Sequence, residues 1–350
     1  MRPAERSLRV LVVDDQAASR DAIVSLLRTA PGVTVVGESR DGEDALRDAL
    51  RLQPDAVVLD LQMPRMDGFT FLRLLMAQQP TPVLVVSSWS AKSDVFKSLE
   101  LGALDFVAKP DSPERIDSIR QELIEKLAVV RSLRRENLPS AIALPSVTPV
   151  PLHAAVEPSR VAVIGASTGG PQALQRLFAT VPHDLPLGFL VAQHMPERFT
   201  RAFAERLGRG TRLSVKEAED GDVLATGRVL VAPGGRHLAL RRDAGVLRAA
   251  VLEPDPDDPH RHVPSVDRLF ASAARELGAR VCGIVLTGMG SDGCAGIAAV
   301  KAAGGLTLAE SEDSAVVYGM PQSAASSGSV DEVLGLERIV ERLARFARGG

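Results

Sequence analysis

Three carboxylates stand where two apolar runs end: Asp14 and Asp15 after "VLVV", and Asp60 after "AVVL". Acids brought together this way repel one another unless they share a cation, and an all-oxygen set suits Mg²⁺, which keeps several waters and bridges to phosphate. Ser87 and Lys109 end two further apolar runs and offer a hydroxyl and an ammonium to phosphoryl oxygens. A second set lies further along. Gly165-Ala166-Ser167-Thr168-Gly169 has the G-x-S-x-G spacing of a nucleophile elbow, in which a tight strand-to-helix turn exposes the serine. Serine is a weak nucleophile at neutral pH and needs a base. Among six histidines, His194 closes the buried-type run "LGFLVAQH", and Asp292 follows "CGIVLTGMG", where it could orient an imidazole.

Each residue has a plainer reading. A serine in a glycine-rich turn also caps helices or cradles phosphate, and strand ends are often polar. His153 lies in a proline-rich stretch, His183 in a loop, and His237 at the start of a hairpin. His260 and His262 form an H-x-H for which no third zinc ligand suggests itself. Gly288, Gly290 and Gly293 spell G-x-G-x-x-G after an apolar run, with Glu310 further on, which is the pattern of a dinucleotide-binding turn. A nicotinamide oxidoreductase is therefore one alternative function, and a non-catalytic binding module is another.

The elements that must position these groups are short apolar runs alternating with segments of helical periodicity. "LRVLVVDD", "VTVVGES", "DAVVLDL", "TPVLVVSS" and "LDFVAKP" predict five strands, too uniformly apolar for a one-sided sheet, hence parallel and covered on both faces. Arg115 to Arg135 predicts one last, longer helix. Residues 137–158 carry five prolines among small and apolar residues and predict an interdomain linker. From 159 to 350 a second α/β alternation follows, with a hairpin around Asp243–Gly245. In such sheets, ligands bind outside the carboxyl ends of the strands, where Ser167, His194 and Asp292 would converge.

At 350 residues the chain is long enough for two domains. A net charge of −3 argues against a nucleic-acid partner. No run reaches the roughly 20 apolar residues a spanning helix needs, and "MRPAERSLRVLVVDD" meets acids too early for a signal peptide. With only Cys282 and Cys294, neither a disulfide framework nor a four-ligand zinc site is supported. The expectation is a cytoplasmic protein without direct membrane insertion.

Residues 8–126, through "VLVVDD", "LDLQMPRMDG", "VVSS" and "VAKP", resemble a response-regulator receiver domain. The resemblance implies a flavodoxin-like, five-stranded parallel sheet in which Asp60 accepts a phosphoryl group from a histidine kinase. It also implies Mg²⁺ held by Asp14, Asp15 and Asp60, phosphoryl contacts from Ser87 and Lys109, and Phe106 at the place of the family's switch aromatic. Residues 159–350, through "IGASTGG", "QHMP", "VAPGGRH", "PSVDRLF", "LTGMGSDG" and "YGMPQSA", are similar to the catalytic domain of chemotaxis protein-glutamate methylesterases, the CheB family. That resemblance implies a doubly wound, mainly parallel α/β sheet with a hairpin, and no cofactor in this half. Ser167 is then nucleophile, His194 base and Asp292 orienter, with the Met289 N–H an oxyanion donor and Thr168 positioning. The implied reaction is phosphorylation-activated hydrolysis of glutamate methyl esters on chemoreceptor helices, with release of methanol; receptor glutamine deamidation falls within the same chemistry. The order Ser…His…Asp departs from the Ser…Asp…His of α/β-hydrolases.

Overall fold

The computed structural model describes residues 6–88, 92–110, 112–133, 137–138, 156–255 and 262–349. It divides into two compact units, Met1–Ala143 and Leu144–Gly350. Most of the proline-rich stretch, with His153, lies outside the described residues, as does His260.

In the first unit the five apolar runs form β1 (Leu8–Val13), β2 (Val33–Ser39), β3 (Ala56–Leu59), β4 (Val83–Ser88) and β5 (Asp105–Lys109). They make one parallel sheet of order β2-β1-β3-β4-β5. All four residues of β3 are buried, as a strand covered on both faces requires. Helices α1 (Ala17–Arg28), α2 (Gly42–Leu52), α3 (Gly68–Gln78) and α4 (Lys92–Glu100) connect the strands. Asp41 caps α2 by accepting from the N–H groups of Glu43 and Asp44, and Asp67 caps α3 through Thr70. The chain leaves β1 in one direction and β3 in the other, so the switch point falls between them. Val13 pairs with Leu59 there, setting Asp14 beside Asp60.

The long helix predicted from Arg115 is broken. A 3₁₀ segment, Pro113–Ile119, precedes α5 (Arg120–Val129), and a second 3₁₀ turn covers Val130–Ser132. The apolar spacing explains this. Ile116 and Ile119, three apart, bury in a 3₁₀ register, whereas Leu123 and Leu127, four apart, bury in an α register.

The second unit holds a seven-stranded sheet of order β14-β13-β12-β6-β7-β9-β8, with every pair parallel. Its strands are β6 (Arg160–Ala166), β7 (Leu187–Gln193), β8 (Ser214–Glu217), β9 (Arg228–Val231), β12 (Val281–Val285), β13 (Leu306–Glu310) and β14 (Glu332–Leu334). β10 (His237–Asp243) and β11 (Val246–Leu252) pair separately as an antiparallel hairpin. Ala244 and Gly245 both have positive φ, 47° and 85°, as a two-residue turn between right-twisted strands demands. The hairpin packs on α8 (Val266–Leu277), whose Leu269, Phe270 and Ala273 meet Val161 and Val163 of β6 in one buried cluster. α6 (Gly170–Thr180), followed after β7 by α7 (Thr200–Arg209), contributes Phe178, which stands edge-on to Phe189 of β7 at 5.3 Å. The switch point lies between β6 and β12, where the chain order reverses. Among the described residues, no helix is long and apolar enough to cross a membrane.

Candidate functional site

Strand register brings the serine, histidine and aspartate of the second unit to one edge. Ala166 pairs with Gln193, so Ser167 and His194 leave adjacent strands side by side. Gly165 pairs with Val285, and the Ser167 N–H donates to the Thr287 carbonyl at 3.0 Å, joining the serine turn to the turn after β12. Gly288 permits that approach, since a Cβ there would lie 2.8 Å from Ser167 Cβ and 2.3 Å from Met320 Sδ. Thr287 Oγ1 adds a tie by donating to the Thr168 carbonyl at 2.9 Å while accepting from the Val317 N–H.

Asp292 accepts from His194 Nε2 at 2.8 Å, and both side chains are nearly buried. Its oxygens also take the Val266 N–H at 2.8 Å, the Asp267 N–H at 3.0 Å and Ser265 Oγ at 3.3 Å. The carboxylate therefore sits on the N-terminus of α8, where N–H groups without helical partners favour negative charge. Asp267 returns the arrangement by accepting from the N–H groups of Gly293 and Gly296 at the start of α9 (Cys294–Ala302). Burial alone would push the Asp292 carboxyl up. The His194 hydrogen bond and charge, with the two N–H donors, outweigh it and hold the pKa at about 2. A carboxyl lowered from 3.8 contributes stability that is present above pH ~4 and lost as pH falls through ~2. Urea unfolding of wild type and Asp292→Asn is therefore expected to differ by about 2 kcal/mol less at pH 2 than at pH 7. A gap independent of pH would contradict this.

With Nε2 bound to Asp292, the nitrogen left to exchange a proton with substrate groups is Nδ1, which is buried and has no hydrogen-bond partner among the described residues. Ser167 Oγ is likewise unbonded among them, so the Ser167–His194 bond is not closed here; such bonds often tighten only around substrate. Met289 is exposed, and its N–H meets no acceptor among the described residues, leaving a donor at the mouth of the site. Thr168, within the turn, is buried.

Three contributors went unread in the sequence. Gln193 Nε2 donates to the carbonyls of both Ser167 and His194, at 2.9 and 3.0 Å, tying both residues to one side chain. The Ser265–Asp267 segment clamps Asp292, and the helix-start pattern in "PSVDR" was a signal of it. The His262 ring stacks on His194. The dinucleotide reading fails on Glu310. That acid is buried, accepting from the Thr287 N–H and Ser314 Oγ at 2.8 Å each, and cannot reach a ribose.

In the first unit, ligand atoms of Asp14, Asp15 and Asp60 lie within 4.8 Å of one another. Lys109 Nζ donates to Asp14 at 2.8 Å and to Asp60 at 2.7 Å. Burial, with Asp14 adding to it, pushes the Asp60 carboxyl up despite the Lys109 ammonium. One ammonium among three carboxylates leaves a deficit of positive charge, and Asp15 Oδ1 is buried without a partner among the described residues. Both features fit a divalent cation. Ser87 Oγ is also buried and unpartnered among them, at the end of β4. Phe106 is buried, edge-on to Phe96 at 6.4 Å.

Fold and site together define a receiver domain joined to an α/β unit with a serine-hydrolase type of active edge. Residues 162–343 match the CheB methylesterase family and residues 10–120 the response regulator receiver domain family. Over 98% of its length the chain is 64% identical to protein-glutamate methylesterase/protein-glutamine glutaminase 6 of Anaeromyxobacter dehalogenans, covering 97% of that protein. It is 45% identical over 95% of its length to protein-glutamate methylesterase/protein-glutamine glutaminase 3 of Geobacter sulfurreducens, covering 96% of it. The crystal structure of the Thermotoga maritima CheB methylesterase catalytic domain superposes with a TM-score of 0.52 at 38% identity, over 53% of this chain and 98% of that one. The chain belongs to the CheB family of protein-glutamate methylesterases.

Proposed function

We propose that this chain hydrolyses γ-methyl esters of glutamate on chemoreceptor helices, releasing methanol, and deamidates receptor glutamines by the same route. The observation that carries the reading is the His194–Asp292 hydrogen bond, 2.8 Å long, at the switch point beside the Ser167 turn. Ser167 Oγ attacks the ester carbonyl carbon while its proton passes to His194 Nδ1. The Met289 N–H donates to the oxyanion; one such donor is typically worth about 10²–10³ in rate. As the tetrahedral intermediate collapses, the C–OCH₃ bond breaks and Nδ1 returns the proton to methoxide, giving methanol. Water then gives a proton to Nδ1 and attacks the acyl carbon; as the C–Oγ bond breaks, Nδ1 returns that proton to Ser167 Oγ, and the glutamic acid formed ionises to solvent. With glutamine the leaving group is ammonia. Asp292 keeps the Nε2–H tautomer and stabilises the imidazolium. Thr168 helps position substrate or base. The direct test is methanol release by the purified protein from methylated receptor.

The receiver supplies the input. Asp60 accepts the phosphoryl group, with a histidine kinase as donor; Asp14, Asp15 and Asp60 hold Mg²⁺, which when bound neutralises phosphoryl oxygens. Lys109 pairs with the phosphoryl group and Ser87 donates to it. A small-molecule phosphodonor with Mg²⁺ is expected to label Asp60 and raise methanol release by about 5–150-fold. Asp60→Asn should keep the unstimulated rate and lose both label and stimulation. Stimulation surviving in that variant would contradict the assignment.

A further inference from the structure

His262 lies flat on His194: the ring centroids are 4.3 Å apart and the planes 16° from parallel. The edge of the His194 ring is held in its own plane by Asp292 through Nε2. The stack adds a restraint perpendicular to that plane. The segment that delivers His262 is also the one that grips Asp292. Ser265, Val266 and Asp267 follow within five residues and donate to the carboxylate, and the Ser265 N–H is anchored on His237 Nδ1 at 3.2 Å. One stretch of chain therefore fixes both the orienter and the open face of the base.

The stack is the wrong shape for a metal. Imidazole lone pairs lie in the ring planes, and two parallel rings separated by a stacking distance do not aim both nitrogens at one ion 2.0–2.1 Å from each. The geometry suits a different task. An aromatic face attracts a cation placed over it, and His194 becomes a cation each time Nδ1 takes a proton. Whatever the charge on the base, the contact is ring stacking. The attraction grows as the imidazolium forms, so it is expressed in kcat more than in KM.

We propose that His262 is a positioning residue for the esterase reaction: its ring holds His194 in line with Asp292 and stabilises the imidazolium formed in both proton transfers. This rests on the reading of His194 as the base. The test uses the full-length protein and methanol release from methylated receptor, comparing His262→Phe, His262→Leu and His262→Ala, with His194→Gln as control. His262 is exposed, so the three variants should fold. His262→Phe, which keeps a flat aromatic face, is expected to stay within about twofold of wild-type kcat. His262→Leu and His262→Ala should lose about three- to tenfold in kcat, with KM changed by less than about twofold. A leucine variant as active as the phenylalanine variant would overturn the proposal, because the space would then need only to be filled. So would a phenylalanine variant as slow as the alanine one, or a loss confined to KM. An active His194→Gln would overturn the underlying reading and this inference with it; an inactive one beside equal Phe and Leu variants overturns the inference alone.

Discussion

Ser167→Ala is expected to lower methanol release by about 10⁶-fold, the loss seen when a triad nucleophile is removed, without unfolding the protein. The structural reason is that the fold uses only the backbone of this residue. Its N–H donates to the Thr287 carbonyl, and its carbonyl accepts from the Gly170 N–H and from Gln193 Nε2. Alanine keeps all three bonds, so a thermal midpoint close to wild type should accompany the lost turnover. The nucleophile is then separable from the turn that holds it. Residual activity within about tenfold of wild type, measured on a folded variant, would mean that another group attacks the ester.

Asp292→Asn is expected to lower kcat by about 10²–10⁴-fold with little change in KM. The carboxylate accepts from four donors: the imidazole, two backbone N–H groups and a hydroxyl. An amide has one accepting oxygen, and its NH₂ must face a donor wherever it points. Either the His194 Nε2–H or an α8 N–H is left opposed by another hydrogen, and the imidazole turns or changes tautomer. Steady-state kinetics on the folded variant measures this. A fall of less than about tenfold would show that Asp292 holds the fold without serving the base.

The parallel strands were legible because runs such as "AVVL" and "VAVIGA" are apolar at every position, which only a sheet covered on both faces accommodates. Once the strands were placed, chemistry-bearing residues at their carboxyl ends fell together by register: Asp14 with Asp60, and Ser167 with His194 and Asp292. The edge strands Ser214–Glu217 and Glu332–Leu334 escaped notice, since they are short and half-buried and carry no such run. The clamp on Asp292 was hidden for another reason. It is made by backbone N–H groups of Val266 and Asp267, whose side chains do not advertise the role, and by a contact 25 residues away in sequence. Gln193 was overshadowed by the histidine beside it. The glycines of "GMGSDG" invited a nucleotide reading, because glycine reports a close approach without saying to what. Here the close approach is to Ser167.

Ser167 is expected to carry the receptor glutamyl group as an ester between the two halves of the reaction. Acid quenching of the full-length protein during turnover of methylated receptor, followed by proteolysis and mass spectrometry, tests it directly. The expected product is a Ser167-containing peptide linked through Oγ to a receptor glutamate, absent in Ser167→Ala. Receptor acyl groups on another residue, or methanol release at full rate with no acyl-enzyme at any quench time, would contradict it.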